Sequence, residues 1–269
     1  MRTLVGYYNN KACSSFRLKE PAMFVGHVIS GETSPLRLGV LKFYAKREVR
    51  LLGLLYRIMQ TRAIDNRFVR ELLYWTLVVP MARWAVTGTP IAPQDLEEFI
   101  ASLEPGVFAV GPCRCRLAHH ACDHPLETDI VIKQGVGIWR ELFADDYREI
   151  SGVEALELCR GYHEQGLAQI TYRFMDIGAN ENNFVICNCC KDGCMPLLAL
   201  DLYGPERYPF HRGLRRAMVD NALCEGCGTC VEACPFGARK VVGQVSVIDE
   251  CFGCGLCASL CPEGASTMA

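Results

Sequence analysis

Between Leu223 and Gly264 the chain repeats one cysteine pattern twice, and no other feature restricts its folding so tightly. The first run is Cys224, Cys227, Cys230 and Cys234, closed by Pro235. The second is Cys251, Cys254, Cys257 and Cys261, closed by Pro262. Each reads C-x2-C-x2-C-x3-C-P, and corresponding cysteines lie 27 residues apart. Gly226, Gly228, Gly253 and Gly255 fall inside the loops, where backbone amides must come close to sulfur and a side chain would obstruct them. Between the runs, Lys240–Val242 and Val245–Ile248 alternate like two short strands around Gly243-Gln244, the pattern of a hairpin. Disulfides or zinc would use the same residue type, but a doubled run at this spacing is far more specific than either.

The spacing has a chemical reason. Four thiolates at tetrahedral corners hold a cubane of iron and sulfide. Three closely spaced cysteines supply three corners, and the fourth of each run reaches across to the other cubane. The sequence therefore expects two 4Fe–4S clusters. One is held by Cys224, Cys227, Cys230 and Cys261, the other by Cys251, Cys254, Cys257 and Cys234. The stretch resembles a dicluster ferredoxin domain in all eight ligands, both prolines and the spacer.

Of 269 residues, 50% are hydrophobic and 22% charged, enough for a substantial core. The expected fold class is α+β in three parts. Residues 1–90 form a basic helical docking region, 91–202 a central α/β cysteine-rich domain, and 203–269 a dicluster ferredoxin-like domain with its tether. A chain of this length and apolarity does not need its 17 cysteines as a disulfide scaffold. Met1–Asn10 lacks the apolar core of a signal peptide. Thiolates at cluster spacing fit a reducing cytoplasm, with peripheral contact at the cytoplasmic membrane face left open. Leu72–Val86 is the most apolar run, and Pro80 and Arg83 break it before it could span a bilayer.

Charge is unevenly spread. Residues 1–88 hold 14 Lys and Arg against 5 Asp and Glu, and the rest holds 14 against 25. A basic front and an acidic back suit oriented docking onto a charged partner. Met1–Ser34 reads as irregular, with Cys13 an isolated thiol. Leu36–Gln60 reads as a helix with Leu41, Tyr44, Leu52, Leu55 and Met59 on one side and Lys42, Lys46, Arg50 and Arg57 on another. Arg62–Val79 continues in that style through Phe68, Leu72 and Trp75. Such helices can lie on an anionic membrane, cover an acidic partner, or form the solvated face of a bundle. Trp75 and Trp84 suit an interfacial belt and a core equally well. Gly88–Pro93 reads as a linker, Gln94–Leu103 as a short helix and Val107–Val110 as a strand.

Two further cysteine groups sit in the middle: Cys113, Cys115 and Cys122 with Asp129, then Cys187, Cys189, Cys190 and Cys194. Between them, Asp129–Lys133, Leu167–Phe174 and Asn183–Ile186 are strand-like. Ser151 and Glu154 make a capping box for a helix carrying Cys159 in its core, and Gly166 ends it. All eight donors are expected to converge on metal as one or two additional iron–sulfur clusters. Arg114 and Arg116 would offset the negative charge there. A structural zinc site and plain buried thiols are the alternatives. Seven thiols exceed one cubane and fall one short of two. Asp129 is then the missing ligand, or one iron is open to substrate. His119, His120 and His124 flank Cys122 and are first of all hydrogen-bonding groups. Tyr203–Arg216 reads as a tether.

Pro112–Arg116, Cys122–Glu127 and Cys187–Cys194, followed by the dicluster tail, resemble a group of ferredoxin-tailed iron–sulfur proteins of anaerobic prokaryotes. The resemblance runs from about Gln94 to the C-terminus. The group carries a cysteine where Asp129 stands. What the resemblance implies is electron transfer and extra metal binding.

The leading expectation is an electron-transfer protein or subunit serving a redox partner or oxidoreductase complex, rather than a stand-alone enzyme. A reductase with a catalytic central iron–sulfur site near Asp129 is the alternative, and a redox sensor or assembly factor is a third. No glycine-rich dinucleotide or phosphate loop follows a strand, so neither flavin nor NAD is expected. No nucleic-acid reading motif accompanies the basic helices, so no nucleic acid is expected either.

Overall fold

The computed structural model describes residues 35–79, 87–103, 106–173, 183–205, 207–208, 210–243 and 245–269. The readings on Met1–Ser34, Cys13, Pro80, Arg83, Trp84 and Gln244 lie outside these residues.

The molecule mixes helix and strand, as the α+β expectation has it. Its centre is a six-stranded sheet in the order β1-β5-β6-β3-β2-β4. The strands are β1 (Thr87–Pro90), β2 (Phe108–Pro112), β3 (Glu127–Ile132), β4 (Arg148–Ile150), β5 (Ala168–Arg173) and β6 (Asn183–Cys189). Each pairing in it is antiparallel, so the central part is not an α/β unit of parallel crossovers. The strands read as apolar runs because both faces are covered. Ile130, Val131, Ile132, Ile170 and Ile186 are all buried. Helices α3 (Pro93–Ala101) and α6 (Gly152–Glu164) pack together over one face. Helix α5 (Gln134–Leu142) packs on strands β2, β3 and β6, with Trp139 stacked on Phe184.

Local chemistry fixes the helix ends. The Ser151 hydroxyl accepts from the Glu154 amide at 3.1 Å, and Gly166 takes φ +84° just past the end of α6. The Glu154 carboxylate pairs with Arg148 instead of returning to the cap.

Helix α1 (Pro35–Met59) forms as its periodicity requires and packs on α4 (Arg114–His119) and α5. The following segment is less regular than expected. It passes through a 3-10 turn, Arg62–Asp65, before α2 (Arg67–Leu73), which runs on as a π turn over Tyr74–Val78. Asn66 caps α2 by accepting from the Phe68 amide at 2.8 Å.

The linker reading of Gly88–Pro93 is corrected: most of it is the edge strand β1 and the start of α3. Gly88 is a packing glycine, since a Cβ there would fall 2.5 Å from the Phe210 ring and 2.9 Å from the Tyr172 ring. Pro90 sits on an edge strand, where the missing N–H costs no ladder bond. The tether reading of Tyr203–Arg216 is corrected as well. After α7 (Met195–Tyr203), the His211 amide donates to Gly88 O at 2.8 Å and the Gly213 amide to Phe252 O at 2.9 Å. Arg207 binds Glu71, and Arg215 binds Asp95.

The tail holds β7 (Ala217–Val219) paired with β10 (Ser266–Met268), the hairpin β8 (Arg239–Val242) and β9 (Val245–Ile248), and short helices α8 (Thr229–Ala233) and α9 (Leu256–Ser259). It is packed into the centre. Phe252, Cys254 and Leu256 belong to the same buried cluster as Ile170, Tyr172 and Phe184. A Cβ on Gly255 would fall 2.7 Å from Pro93 Cδ, and one on Gly253 2.4 Å from Arg215 O.

Candidate functional site

The two cysteine runs fold into interleaved loops. Cys224, Cys227, Cys230 and Cys261 line one cavity of about 20 Å³. Cys234, Cys251, Cys254 and Cys257 line a second, also of about 20 Å³. Each cavity thus receives three thiols from one run and the fourth from the other. Backbone amides point at sulfur in both: Ser246 N to Cys224 at 3.3 Å, Ala217 N to Cys251 at 3.4 Å, and Ala238 N to Cys234 at 3.3 Å. Four thiols around a small pocket, with amide donors aimed at sulfur, fit a thiolate-held cluster. Burial raises the Cys254 thiol, so any metal taken up there must displace a proton. Cys227 is exposed, and the Thr229 hydroxyl lowers its thiol.

One residue that sequence reasoning missed joins the two cavities. Arg239, 5% exposed, donates from Nη2 to Cys257 Sγ at 3.0 Å and from Nη1 to Ser246 Oγ at 3.2 Å. Ser246 Oγ lies 3.1 Å from Cys230 Sγ. A lone arginine at the start of a strand reads as surface, and only the closure of β10 over it reveals the contact.

The central donors do not all gather. Cys113, Cys115, Cys194, Cys189, Cys187 and Asp129 follow one another in that order, each near enough to the next to shift its protonation. Strand register explains part of this. Asp129 sits directly opposite Cys187 on β6, and Cys187 and Cys189 are two apart on one face. Asn188, between them, turns the other way and donates to Thr128 O at 2.7 Å. Cys113 caps α4 and Cys194 precedes α7, so the remaining thiols arrive at helix starts. The Tyr172 hydroxyl lies 3.7 Å from both Cys189 and Cys194 Sγ.

Cys122 and Cys190 face each other, Sγ to Sγ 3.2 Å, with Arg116 Nε 3.2 Å from Cys122 Sγ. Among the described residues, no three His, Cys, Asp or Glu side chains converge at the spacing of a single metal ion, in the tail or in the centre.

The five-thiol group, together with Cys190, borders a cavity of about 120 Å³, against about 20 Å³ for each tail cavity. Leu52, Leu55, Leu73 and Leu77 close it from the helical side, and Glu48, Arg114 and Arg116 are its charged groups. Burial raises the Glu48 carboxyl to about 7 against the opposing pull of Arg114. The two lie 3.4 Å apart, too poorly aligned for a hydrogen bond. Arg114 also stacks over Phe143, 4.2 Å from the ring centre. Burial raises Asp129 to about 6, opposed by the neighbouring Cys187 thiol and the Arg114 amide. Crowding acts on the thiols too: the Cys115 thiol beside it raises Cys113 first, and burial adds to it. Glu48 carries no signal in the sequence, where it is one charge on an amphipathic helix.

The histidines do not approach these sulfurs as a set. His119 stacks on Tyr56 at 4.0 Å, and His120 ends α4 in the left-handed region, φ 48°. Burial lowers the His124 imidazole.

A series of aromatic contacts, one stacked and two edge-to-face, lies between the second tail cavity and the central thiols. Phe252 and Phe236 stack at 4.6 Å between ring centres, Phe210 meets Phe236 at 5.6 Å, and Tyr172 meets Phe210 at 6.4 Å. Phe236 and Phe252 line the cavity of Cys234, and Tyr172 touches Cys189 and Cys194.

Residues 217–240 match the family of 4Fe–4S binding domains, which places 4Fe–4S cluster binding in the tail. The chain is similar to a tetrathionate reductase subunit from Salmonella typhimurium, 34% identical over 67 residues, 24% of each chain. The corresponding tetrathionate reductase subunit from Archaeoglobus fulgidus is 36% identical over 55 residues, 20% of this chain and 24% of the relative. The chain thus spans about a quarter of the length of the relatives it matches.

Proposed function

We propose that this protein is an iron–sulfur electron-transfer subunit of an oxidoreductase complex. The observation that carries the reading is the pair of four-thiol tail cavities, the second joined to the central thiols by the series of aromatic contacts. In this reading Cys224, Cys227, Cys230 and Cys261 hold one 4Fe–4S cluster, and Cys251, Cys254, Cys257 and Cys234 the other. Cys113, Cys115, Cys187, Cys189 and Cys194, with Asp129, hold a further cluster. Bound there, these groups supply one-electron storage at three points. Cys227, exposed at the first cavity, marks the side where a carrier meets the molecule. The identity of the relatives as reductase subunits supports a partner that is the rest of an oxidoreductase. Phe68 and Trp75, 75% and 62% exposed beside Arg67 and Arg70, form the surface for that partner. A cytoplasmic location follows from the need to keep the thiols reduced.

The test is iron, acid-labile sulfide and zinc per chain on anaerobically purified protein. About twelve irons agree with three cubanes. About eight irons, with the centre holding zinc or nothing, overturn the central part of the reading.

A second reading is favoured by Asp129 Oδ1, which is buried without a hydrogen-bond partner beside Cys187, itself on the wall of the larger central cavity. In it the centre is a catalytic site that reduces a substrate. Asp129→Asn then abolishes turnover with a reduced carrier while sparing the tail signals, and unchanged turnover eliminates that reading.

A further inference from the structure

Cys122 and Cys190 face each other, although Cys190 also lines the central cavity with the five other thiols. Two thiolates on one tetrahedral metal, each at ~2.3 Å, are separated by ~3.8 Å. Irons of a cubane hold their cysteines further apart still. Here the sulfurs are 3.2 Å apart, one donating to the other. Closing to a disulfide bond requires a further approach of about 1.2 Å, given a bond length of ~2.05 Å.

The two residues come from different parts of the chain, 68 positions apart, so a bond between them would be a real cross-link and not a local turn. Cys122 lies in the loop after α4 and is half-buried, whereas Cys190 follows β6 and is buried. Gly193 lies against both, and a Cβ there would sit 3.2 Å from Cys190 Sγ and 3.3 Å from Cys122 Sγ. The bare glycine leaves room for the sulfurs to move.

Arg116 supplies the electrostatics. It is 3% exposed, and its bonds go to Pro125 O, Asn188 O, the Thr128 hydroxyl and Cys122 Sγ. No carboxylate is among these partners. A buried guanidinium facing Cys122 Sγ steadies negative charge as it develops on that sulfur, which is what the first attack in thiol–disulfide exchange needs.

We propose that Cys122 and Cys190 form a dithiol–disulfide couple that exchanges with small disulfides. Cys122 Sγ, the more accessible sulfur, attacks one sulfur of the incoming disulfide. The small molecule's S–S bond breaks, and its first half leaves as a thiol with the proton. Cys190 Sγ then attacks Cys122 Sγ, displaces the second half as a thiol with its proton, and closes the Cys122–Cys190 bond. Two protein thiols are oxidised and one small disulfide is reduced to two thiols, so atoms and electrons balance. The couple stands beyond the electron-relay reading and does not depend on it.

The test uses the anaerobic holoprotein with glutathione disulfide, followed by thiol blocking, peptide mass mapping and iron counting. The expected product is a peptide pair joined through Cys122 and Cys190, two hydrogens lighter, with iron content unchanged. Cys190→Ser should trap glutathione on Cys122, because the second attack is lost. Absence of both the cross-link and the trapped adduct overturns the proposal. So does a loss of about four irons per chain in Cys122→Ser, which would make the residue a cluster ligand.

Discussion

The imidazole of His163 joins two parts of the molecule: its Nε2 lies 2.8 Å from Ser259 Oγ at the end of α9 in the tail. Its Nδ1 lies 2.7 Å from Gln169 Oε1 on the central strand β5. Gln169 Nε2 already donates to Cys159 O, Leu167 O and Asn188 Oδ1, so the facing oxygen can only accept. The Nδ1 therefore carries the proton, and the Nε2 accepts from the serine hydroxyl.

His163→Phe leaves Gln169 Oε1 buried and unsatisfied, at a cost of about 1–3 kcal/mol. Burial lowers the folded pKa of His163 below its ordinary value. The unfolded chain therefore binds the proton more readily, and stability falls as pH drops below about 6.5. Melting curves at pH 7.5 and 5.5 should show a larger acid loss for the wild type than for His163→Gln. Equal losses would exclude this histidine as the cause.

Glu48 works in the opposite direction. Its folded pKa of about 7 exceeds the 4.5 of a free side chain. Its contribution is complete below 4.5 and is lost as pH rises towards 7, a span equivalent to about 3 kcal/mol. Glu48→Gln should flatten the stability profile across that window in chemical denaturation. A variant that keeps the wild-type slope would show that the carboxyl titrates normally.

The proposed crosswise ligation makes a grouping prediction. Cys261→Ser should alter the same paramagnetic signal as Cys227→Ser, and Cys234→Ser the same signal as Cys254→Ser. The check is the low-temperature spectrum of each reduced variant. Were Cys261→Ser to group with Cys254→Ser, each run would hold its own cluster.

Arg239 should set potential at the second cavity. Arg239→Met removes a positive charge and a donor to Cys257, which makes that centre harder to reduce by on the order of 60 mV, the one-electron equivalent of a tenfold change. A redox titration followed by electron paramagnetic resonance measures it, and Arg239→Lys should fall in between. An unshifted midpoint would reduce the arginine to a packing role.

The tail was legible because its information is local: ligand spacing, loop glycines and prolines all lie within one short stretch. Helix α1 and the Ser151 cap were legible for the same reason, one through periodicity and the other through a four-residue pattern. The central cysteines stand out in the sequence as chemistry, but their partition was not readable. Cys189 and Cys190 are neighbours in sequence, yet one ends a strand beside Cys194 and the other turns towards Cys122. Only the antiparallel register and the turn into α7 decide that. Gly88 and the stretch before β7 were misread because glycine and proline mark close packing as well as loops. Phe210, which demands that glycine, lies more than a hundred residues away.

The seam at Gly253 and Gly255 bears on how such a chain can be inherited or rebuilt. The two glycines sit within the second cysteine run and also press against Arg215 and Pro93. A tail borrowed from another protein could carry all eight cysteines, bind its iron, and still collide with that wall if either position bore a side chain. The tail is thus no interchangeable cartridge. The edge of the central sheet, the segment around Gly213 and the cysteine loop must be exchanged as one piece, and a chimera cut at residue 216 should assemble worse than one that also carries residues 90–93 across.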